Sequence, residues 1–330
     1  MTSFAERKVL ALSGGVGGAK LALGLSKILT PAQLTIVANT GDDFEHLGLP
    51  ISPDLDTVMY TLAGRNNQEQ GWGLADETWQ AMEMLRNYAA PTWFQLGDKD
   101  IATHLVRRQM LAEGKTLSEV SAHLCRQLGV EHCLLPMSDD PVQTWVDTDA
   151  GELPFQTYFV GERCRPTARG FRFAGIATAQ PQPGFMTRLA DPQLSAIVIC
   201  PSNPFVSVDP ILQLAGVRAA MAQSAAPVIA VSPIVAGAAI KGPTAKMMAE
   251  AQMPVSALGV AEHYGARADG ALLDGFVIDE ADADQVQDIE RLGIAVHATK
   301  TVMHSLQDRI DLARSTLEFA LDLAARRKGG

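Results

Sequence analysis

Short apolar runs rich in β-branched residues alternate along this chain with segments whose apolar positions recur every three or four residues. Residues 9–12, 196–200 and 228–231 are apolar throughout, and 34–38 are so apart from the β-branched Thr35. Fully buried parallel strands read that way, whereas an antiparallel strand with one wet face alternates. Each run ends in a small or polar turn: SGGVGG, NTGDD, PSNP and SPIVAG in chain order. Helical spacing covers 19–29, 210–223 and 244–252. This βαβα alternation predicts an α/β fold, Rossmann-like and three-layered, with a doubly wound, mainly parallel sheet. Ligands in such sheets bind beyond the carboxyl ends of the strands, so the four turns are where chemistry is expected.

Residues 57–130 break the alternation, because helical spacing dominates at 57–63, 75–88, 101–113 and 117–128. They read as a helical insert lying over the strand ends. The stretch 131–178 carries alternating or aromatic runs, TWV at 144–146 and FQTYFV at 155–160, suited to a small mixed or edge sheet. Residues 302–325 read as a long amphipathic helix. The expected organisation is one domain, with 1–56 and 131–330 as core plus mixed-sheet region and 57–130 as insert.

Composition narrows the class. Of 330 residues, 47% are hydrophobic and 19% charged, and the mean hydropathy is +0.07, as in folded soluble proteins. A net charge of −10 argues against nucleic-acid binding, which needs Lys and Arg to neutralise phosphates. Cys125, Cys133, Cys164 and Cys200 have no CxxC spacing, so neither a zinc site nor a redox pair is indicated. No apolar run has the length of a membrane span, and the start MTSFAERKVL lacks a secretory stretch, so a cytoplasmic protein is expected. HExxH and GxSxG are both absent.

The first turn, Ser13 to Lys20, follows a strand and opens a helix. Its unpaired N–H groups and the helix dipole favour an anion at Gly14, Gly15, Gly17 and Gly18. Lys20 stands where a GxGxxG fingerprint would carry its last glycine, and GxxxxGK[ST] does not fit either. A tight turn with close helix–strand packing is the alternative. A dehydrogenase would place one acidic residue after the second strand. Here Asp42 and Asp43 are followed by Asp54 and Asp56, a density that suits Mg²⁺ and phosphates better than one ribose. Asp54 and Asp56 also stand where a helix N-terminus would use a carboxylate as cap.

In LGDKD, Lys99 precedes a helix on which Asp100, His104 and Arg107 share one face, by default a solvated charged face. Asn203, Ser207 and Ser232 sit in proline-framed loops able to read a nucleobase or ribose, although turn chemistry alone explains such residues too. Trp72, Trp79 and Trp93 fit core or lid packing.

Taken together, LSGGVGGAK, NTGDD, ISPDLDTVMYTLAG, GWGLADETW, WFQLGDKDIATHLVR, LLPMSDDPVQT, PSNPFVSVDPIL, SPIVAGAAIKGP and GALLDGFVID resemble the CofD family, called FbiA in actinobacteria. These are the 2-phospho-L-lactate transferases of coenzyme F-420 biosynthesis. The resemblance implies a homodimer and a Mg²⁺-dependent transfer from a guanosine diphospho-linked acid to the ribitol hydroxyl of Fo, a deazaflavin, with release of GMP. It implies that a guanylyltransferase makes the donor, and that the acid is phospholactyl, phosphoenolpyruvyl or phosphoglyceryl.

On this resemblance the glycine turn and Lys20 hold the donor diphosphate, and Asn203, Ser207 and Ser232 the guanosine. Asp42, Asp43 and Asp56 bind metal, Asp42, Asp54 and Asp56 act in catalysis, and Asp54 and Lys99 contact Fo. Lys99 stands where many members carry Arg, which keeps charge and loses the planar fork. A YvcK-like nucleotide-binding regulator and, more distantly, an NAD-type oxidoreductase are the rival readings.

Overall fold

The computed structural model describes residue 4 and residues 7–329. Residues 1–3 and 5–6, part of the start read as lacking a secretory stretch, lie outside the described residues.

Seven parallel strands form the central sheet. Its order is Ala295–Thr299, Gly275–Asp279, Val228–Val231, Leu194–Ile199, β1 (Lys8–Ser13), β2 (Leu34–Ala38) and Cys133–Pro136. Both faces are buried, which explains the unbroken apolar runs. Leu10, Leu12, Ile197, Ile199 and Phe276 point into one core. Val9, Ala11, Ala196, Val198 and Val277 point into the other. That second core is covered by α1 (Gly15–Ile28), α2 (Pro53–Leu62) and the helix Leu306–Gly329.

The chain runs outward from β1 through β2 to Cys133–Pro136, then returns to the other side of β1 at Leu194–Ile199. The winding therefore reverses between β1 and Leu194–Ile199, and the crevice of a doubly wound sheet opens at that point. The glycine turn and PSNP, which follow these two strands, face each other across it.

The expected α/β architecture holds, with corrections at the level of elements. The run at 155–160 is not a strand: Thr157–Gly161 is a π-helical turn. Phe155 and Tyr158, three residues apart, share one buried face, so tertiary packing overrides their strand propensity. The small sheet is instead antiparallel, with Gln143–Thr148 between Gly151–Pro154 and Ala168–Ala174. The helix read over 210–223 is two, Asp209–Gln213 and Val217–Gln223, separated by a turn with Gly216 at φ +80°. That over 75–88 shrinks to α3 (Gln80–Asn87), because the Asp98 carboxylate takes the N–H groups of Gln80 and Ala81 and fixes its start.

Within the segment read as an insert, α2 packs on the sheet beside α1 as part of the core, and α3 and α4 (Asp98–Ala112) lie beyond it. No single helix among the described residues is long and apolar enough to cross a membrane.

Candidate functional site

The crevice holds a cavity of about 570 Å³. The glycine turn, α2, the loops after the parallel strands and aromatic side chains of the outer segments wall it. Beneath its polar end lies Asn39, the first residue of NTGDD, which is fully buried behind the lining. Its side-chain carbonyl accepts the Gly41 N–H at 2.8 Å. Its amide donates to Asp54 at 3.0 Å, to the Val206 carbonyl at 3.2 Å and to Asp42 at 3.3 Å. One amide thus joins the two carboxylates.

The other oxygen of Asp54 accepts the Gly15 N–H at 2.6 Å, and that of Asp42 accepts the Gln156 amide at 3.1 Å. Burial raises both acids. Asp54 lies at about 6, its rise limited by the bonds from Asn39, Gly15 and Ser207. Asp42 is pushed well above the usual carboxylate range by burial and by the neighbouring Asp54 and Asp43. Two acids this close in a cavity share a proton or accept a cation between them.

The structure divides the four aspartates. Asp42 and Asp54 face the cavity together. Asp56, two residues further along the same helix, also reaches the cavity wall but has both oxygens engaged by the buried Arg107 guanidinium. Asp43 accepts a bond from Ser52 at 2.6 Å and opens on a second cleft behind the turn. Of the expected metal set Asp42, Asp43 and Asp56, only Asp42 faces this cavity without a cationic side-chain partner among the described residues, and Asp54 lies beside it. Neither Asp54 nor Asp56 caps α2, whose N-cap residue is Ser52.

The face of α4 carrying Asp100, His104 and Arg107 is buried, which corrects the expectation of a solvated charged surface. Tyr60 donates to Asp100 at 2.7 Å, the His104 ring lies 3.3 Å from the other Asp100 oxygen, and Arg107 lies 3.0 Å from His104 Nδ1. Burial opposes the charge of Asp100, but the bonds from His104 and Tyr60 outweigh it and hold its pKa below the usual value. Lys99 lies outside the cavity wall. Its ammonium bonds the Ala75 carbonyl at 2.9 Å, and its N–H, like that of Asp100, is capped by Glu77.

The glycine turn is built for close approach. Gly14 N–H donates to the Ser202 hydroxyl at 3.1 Å, and that hydroxyl donates back to the Gly14 carbonyl at 2.9 Å. A Cβ on Gly17 would lie 2.4 Å from the Pro201 carbonyl oxygen. Gly17→Ala is therefore expected to force the two loops apart, costing about 1–3 kcal/mol of stability. A transfer assay should show at least a tenfold loss, by analogy with small misplacements at other sites. Unchanged urea midpoint and turnover would count against this close approach.

Gly14 N–H is taken by Ser202 and Gly15 N–H by Asp54, so the N–H groups of Val16 and Gly17 are the ones the first helical turn leaves without acceptors, while Gly18 N–H starts the intrahelical ladder. Lys20 lines the same wall and bonds the Met303 carbonyl at 3.0 Å.

Asn203, Ser207 and Ser232 all reach the wall. The Asn203 carbonyl, however, takes the Phe205 and Val206 N–H groups, and the Ser232 hydroxyl bonds within its own turn to Ile234. Ser207 bonds Asp54. Turn chemistry thus accounts for the Asn203 carbonyl and the Ser232 hydroxyl, while Ser207 serves Asp54.

The sequence did not single out Gln156, Tyr60, Lys241 and Thr301–His304 as parts of the wall, nor Asn39 as the residue that joins the two carboxylates behind it. Asn39 was readable as the first polar residue after a buried strand. Thr301–His304 follow two parallel strands that had not been read. The outer wall is apolar, with Trp72, Phe94, Phe155 and Phe159, the last two rings parallel at 5.5 Å. Trp93 packs against Phe44 and His46 outside it.

Mg²⁺ commonly binds through one or two carboxylates plus substrate phosphates. Asp42 and Asp54 offer that hard-oxygen pair. No group of three or more His, Cys, Asp or Glu side chains placed to hold a metal occurs among the described residues.

The family described as 2-phospho-L-lactate transferase CofD matches residues 9–309. A phosphoenolpyruvate transferase of Streptomyces griseus is 41% identical over 96% of this chain and 100% of its own length. One of Thermobifida fusca is 40% identical over 97% of this chain and 99% of its own. The fold is shared with a UPF0052-family crystal structure from Bacillus halodurans, with a TM-score of 0.61 and 15% identity over 94% of this chain and 98% of that one. The chain belongs to the CofD family and is a transferase.

Proposed function

We propose that the protein moves a phospho-acid group from a guanosine diphospho-linked donor to the ribitol hydroxyl of Fo, releasing GMP and giving a coenzyme F-420 precursor. The observation that carries the reading is the cavity itself. It joins a helix N-terminus with an adjacent lysine and a buried carboxylate pair at one end to an aromatic wall at the other. The polar end suits a diphosphate and the aromatic end a flat deazaflavin.

Phosphoryl transfer asks mainly for positioning and charge neutralisation. Val16 and Gly17 N–H groups and Lys20 hold the donor diphosphate. One carboxylate of the Asp42–Asp54 pair takes the proton of the attacking ribitol hydroxyl. The ribitol oxygen bonds the phosphorus bearing the acid, and the bond from that phosphorus to the bridging oxygen breaks, so GMP leaves with that oxygen. Bound at the pair, Mg²⁺ would offset the charge of the diphosphate.

The curated relatives named phosphoenolpyruvate transferase favour phosphoenolpyruvyl as the group carried, ahead of 2-phospholactyl and 3-phosphoglyceryl. A homodimer in the cytoplasm, supplied by a guanylyltransferase, belongs to the same reading. The test incubates the protein with Fo, Mg²⁺, GTP, a guanylyltransferase and each candidate acid, and reads the product mass. A product of Fo joined through phosphate to enolpyruvate is expected, and it should vanish with EDTA. No Fo adduct with any acid would overturn the reading.

A further inference from the structure

Two ammonium groups face the donor end of the cavity with no carboxylate partner among the described residues: Lys20, and Lys241 from the loop after Val228–Val231. Lys241 Nζ bonds the carbonyls of Gln70 at 2.9 Å and Glu69 at 3.2 Å. Those carbonyls belong to the loop joining α2 to α3, 171 and 172 residues away in sequence. The next residue, Gly71, has φ +84° and lies between the lysine and the glycine-turn helix. A Cβ there would stand 3.3 Å from Lys241 Nζ and 2.9 Å from a Val16 methyl group. The ammonium is thereby fixed close to the first turn of α1. Burial lowers the Lys20 pKa, and repulsion from Arg309 and Lys241 lowers it further, so this end of the cavity is one electropositive region. No carboxylate among the described residues forms an ion pair with either ammonium, although the chain as a whole carries a net charge of −10.

We propose that Lys241 is a second diphosphate-binding cation, set opposite Lys20, and that its two carbonyl bonds hold the 64–78 loop over the donor site. This rests on the guanosine-diphosphate donor proposed above. Lys20 approaches from α1 inside the crevice and Lys241 from the loop outside it, so a diphosphate is gripped from two sides. A monophosphate held at the glycine turn alone does not need the outer cation. The carbonyl bonds orient the lysine head without cancelling its charge, and one donor hydrogen of the ammonium remains for a phosphate oxygen.

The test compares GDP with GMP, both with Mg²⁺, by calorimetry on the wild type, Lys241→Met, Lys241→Arg and Gly71→Ala. Charge-assisted hydrogen bonds support a loss of roughly tenfold to a hundredfold in GDP affinity for Lys241→Met. The expected change for GMP is under threefold, Lys241→Arg should recover most of the loss, and raised salt should narrow the GDP difference. Gly71→Ala keeps the charge but strains the left-handed position and crowds Val16. It should weaken GDP and speed proteolysis at residues 64–78. Wild-type binding of GDP with an unchanged Lys241→Met would overturn this inference and leave the donor reading intact. Equal weakening of GDP and GMP would also overturn it, because the lysine would then only be holding the loop. Failure of the wild type to bind GDP at all would overturn the donor reading and this inference with it.

Discussion

Asp54→Ala should leave a folded protein whose transfer rate is lower by roughly a thousandfold, a loss of the size seen when a group aimed at the reacting centre is removed. The carboxylate sits where three parts of the site meet. It takes the first N–H of the glycine-turn helix, shares the Asn39 amide with Asp42 and faces the cavity. On the proposed mechanism, its loss removes a candidate proton acceptor and half of the carboxylate pair that would hold Mg²⁺.

Folding should suffer much less. Gly15 N–H and the Asn39 amide lose an acceptor, each costing about 1–3 kcal/mol if left dry. The same change removes a carboxyl whose burial raises its pKa to about 6, and water entering from the cavity can satisfy the freed donors. Asp42→Asn should likewise reduce turnover at least a hundredfold, because the Asn39-linked pair is then one acid short. Asp43→Asn is the contrasting case: Asp43 bonds Ser52 and faces the second cleft, so turnover within about threefold of the wild type is expected. Activities measured beside circular-dichroism melts would decide the matter. Near-normal turnover by folded Asp54→Ala would remove Asp54 from the mechanism, and equal losses for Asp42→Asn and Asp43→Asn would undo the division of the aspartates.

That division marks the limit of what spacing alone can reveal. Buried parallel strands announce themselves because both faces must be apolar, so the four named runs and the turns after them were legible, and the glycine turn lies at the crevice they define. Asp42, Asp43, Asp54 and Asp56 were legible as a cluster. Their separate jobs were not, because partners lie far along the chain: Arg107 for Asp56, Gln156 for Asp42, Gly15 for Asp54. The same holds for Asp100, His104 and Arg107. Helical spacing put them on one face correctly, but whether that face is wet depends on what packs there, and Tyr60 and Asp56 do. FQTYFV misled for a related reason, since aromatic residues suit a strand in isolation and a buried helical turn when a core lies beneath them.

Arg107→Ala is the substitution expected to cost the fold most. Arg107 is 1% exposed, and its guanidinium is shared among Asp56, His104 and the Pro50 carbonyl. Burial works against its charge, but Asp56 outweighs it and raises the Arg107 pKa. Removing the arginine leaves Asp56 buried beside Asp43, itself pushed well above the usual range chiefly by burial. Breaking a buried pair from one side costs about 3–5 kcal/mol, because an uncompensated charge stays behind. Asp56→Ala strands the arginine and should cost a similar amount. Asp56→Leu combined with Arg107→Met removes both charges at roughly conserved volume and should recover most of the loss.

Urea unfolding of the four proteins measures this directly. A midpoint for Arg107→Ala corresponding to less than about 1 kcal/mol of destabilisation would show that the pair is not structural. The same set bears on the metal. If Asp56 serves Arg107, the Asp56→Leu/Arg107→Met protein should bind Mg²⁺ within about threefold of the wild type, whereas Asp42→Asn should lose at least tenfold, since a cation held by two carboxylates depends on each. A double variant that folds well and fails to bind Mg²⁺ would return Asp56 to the metal site.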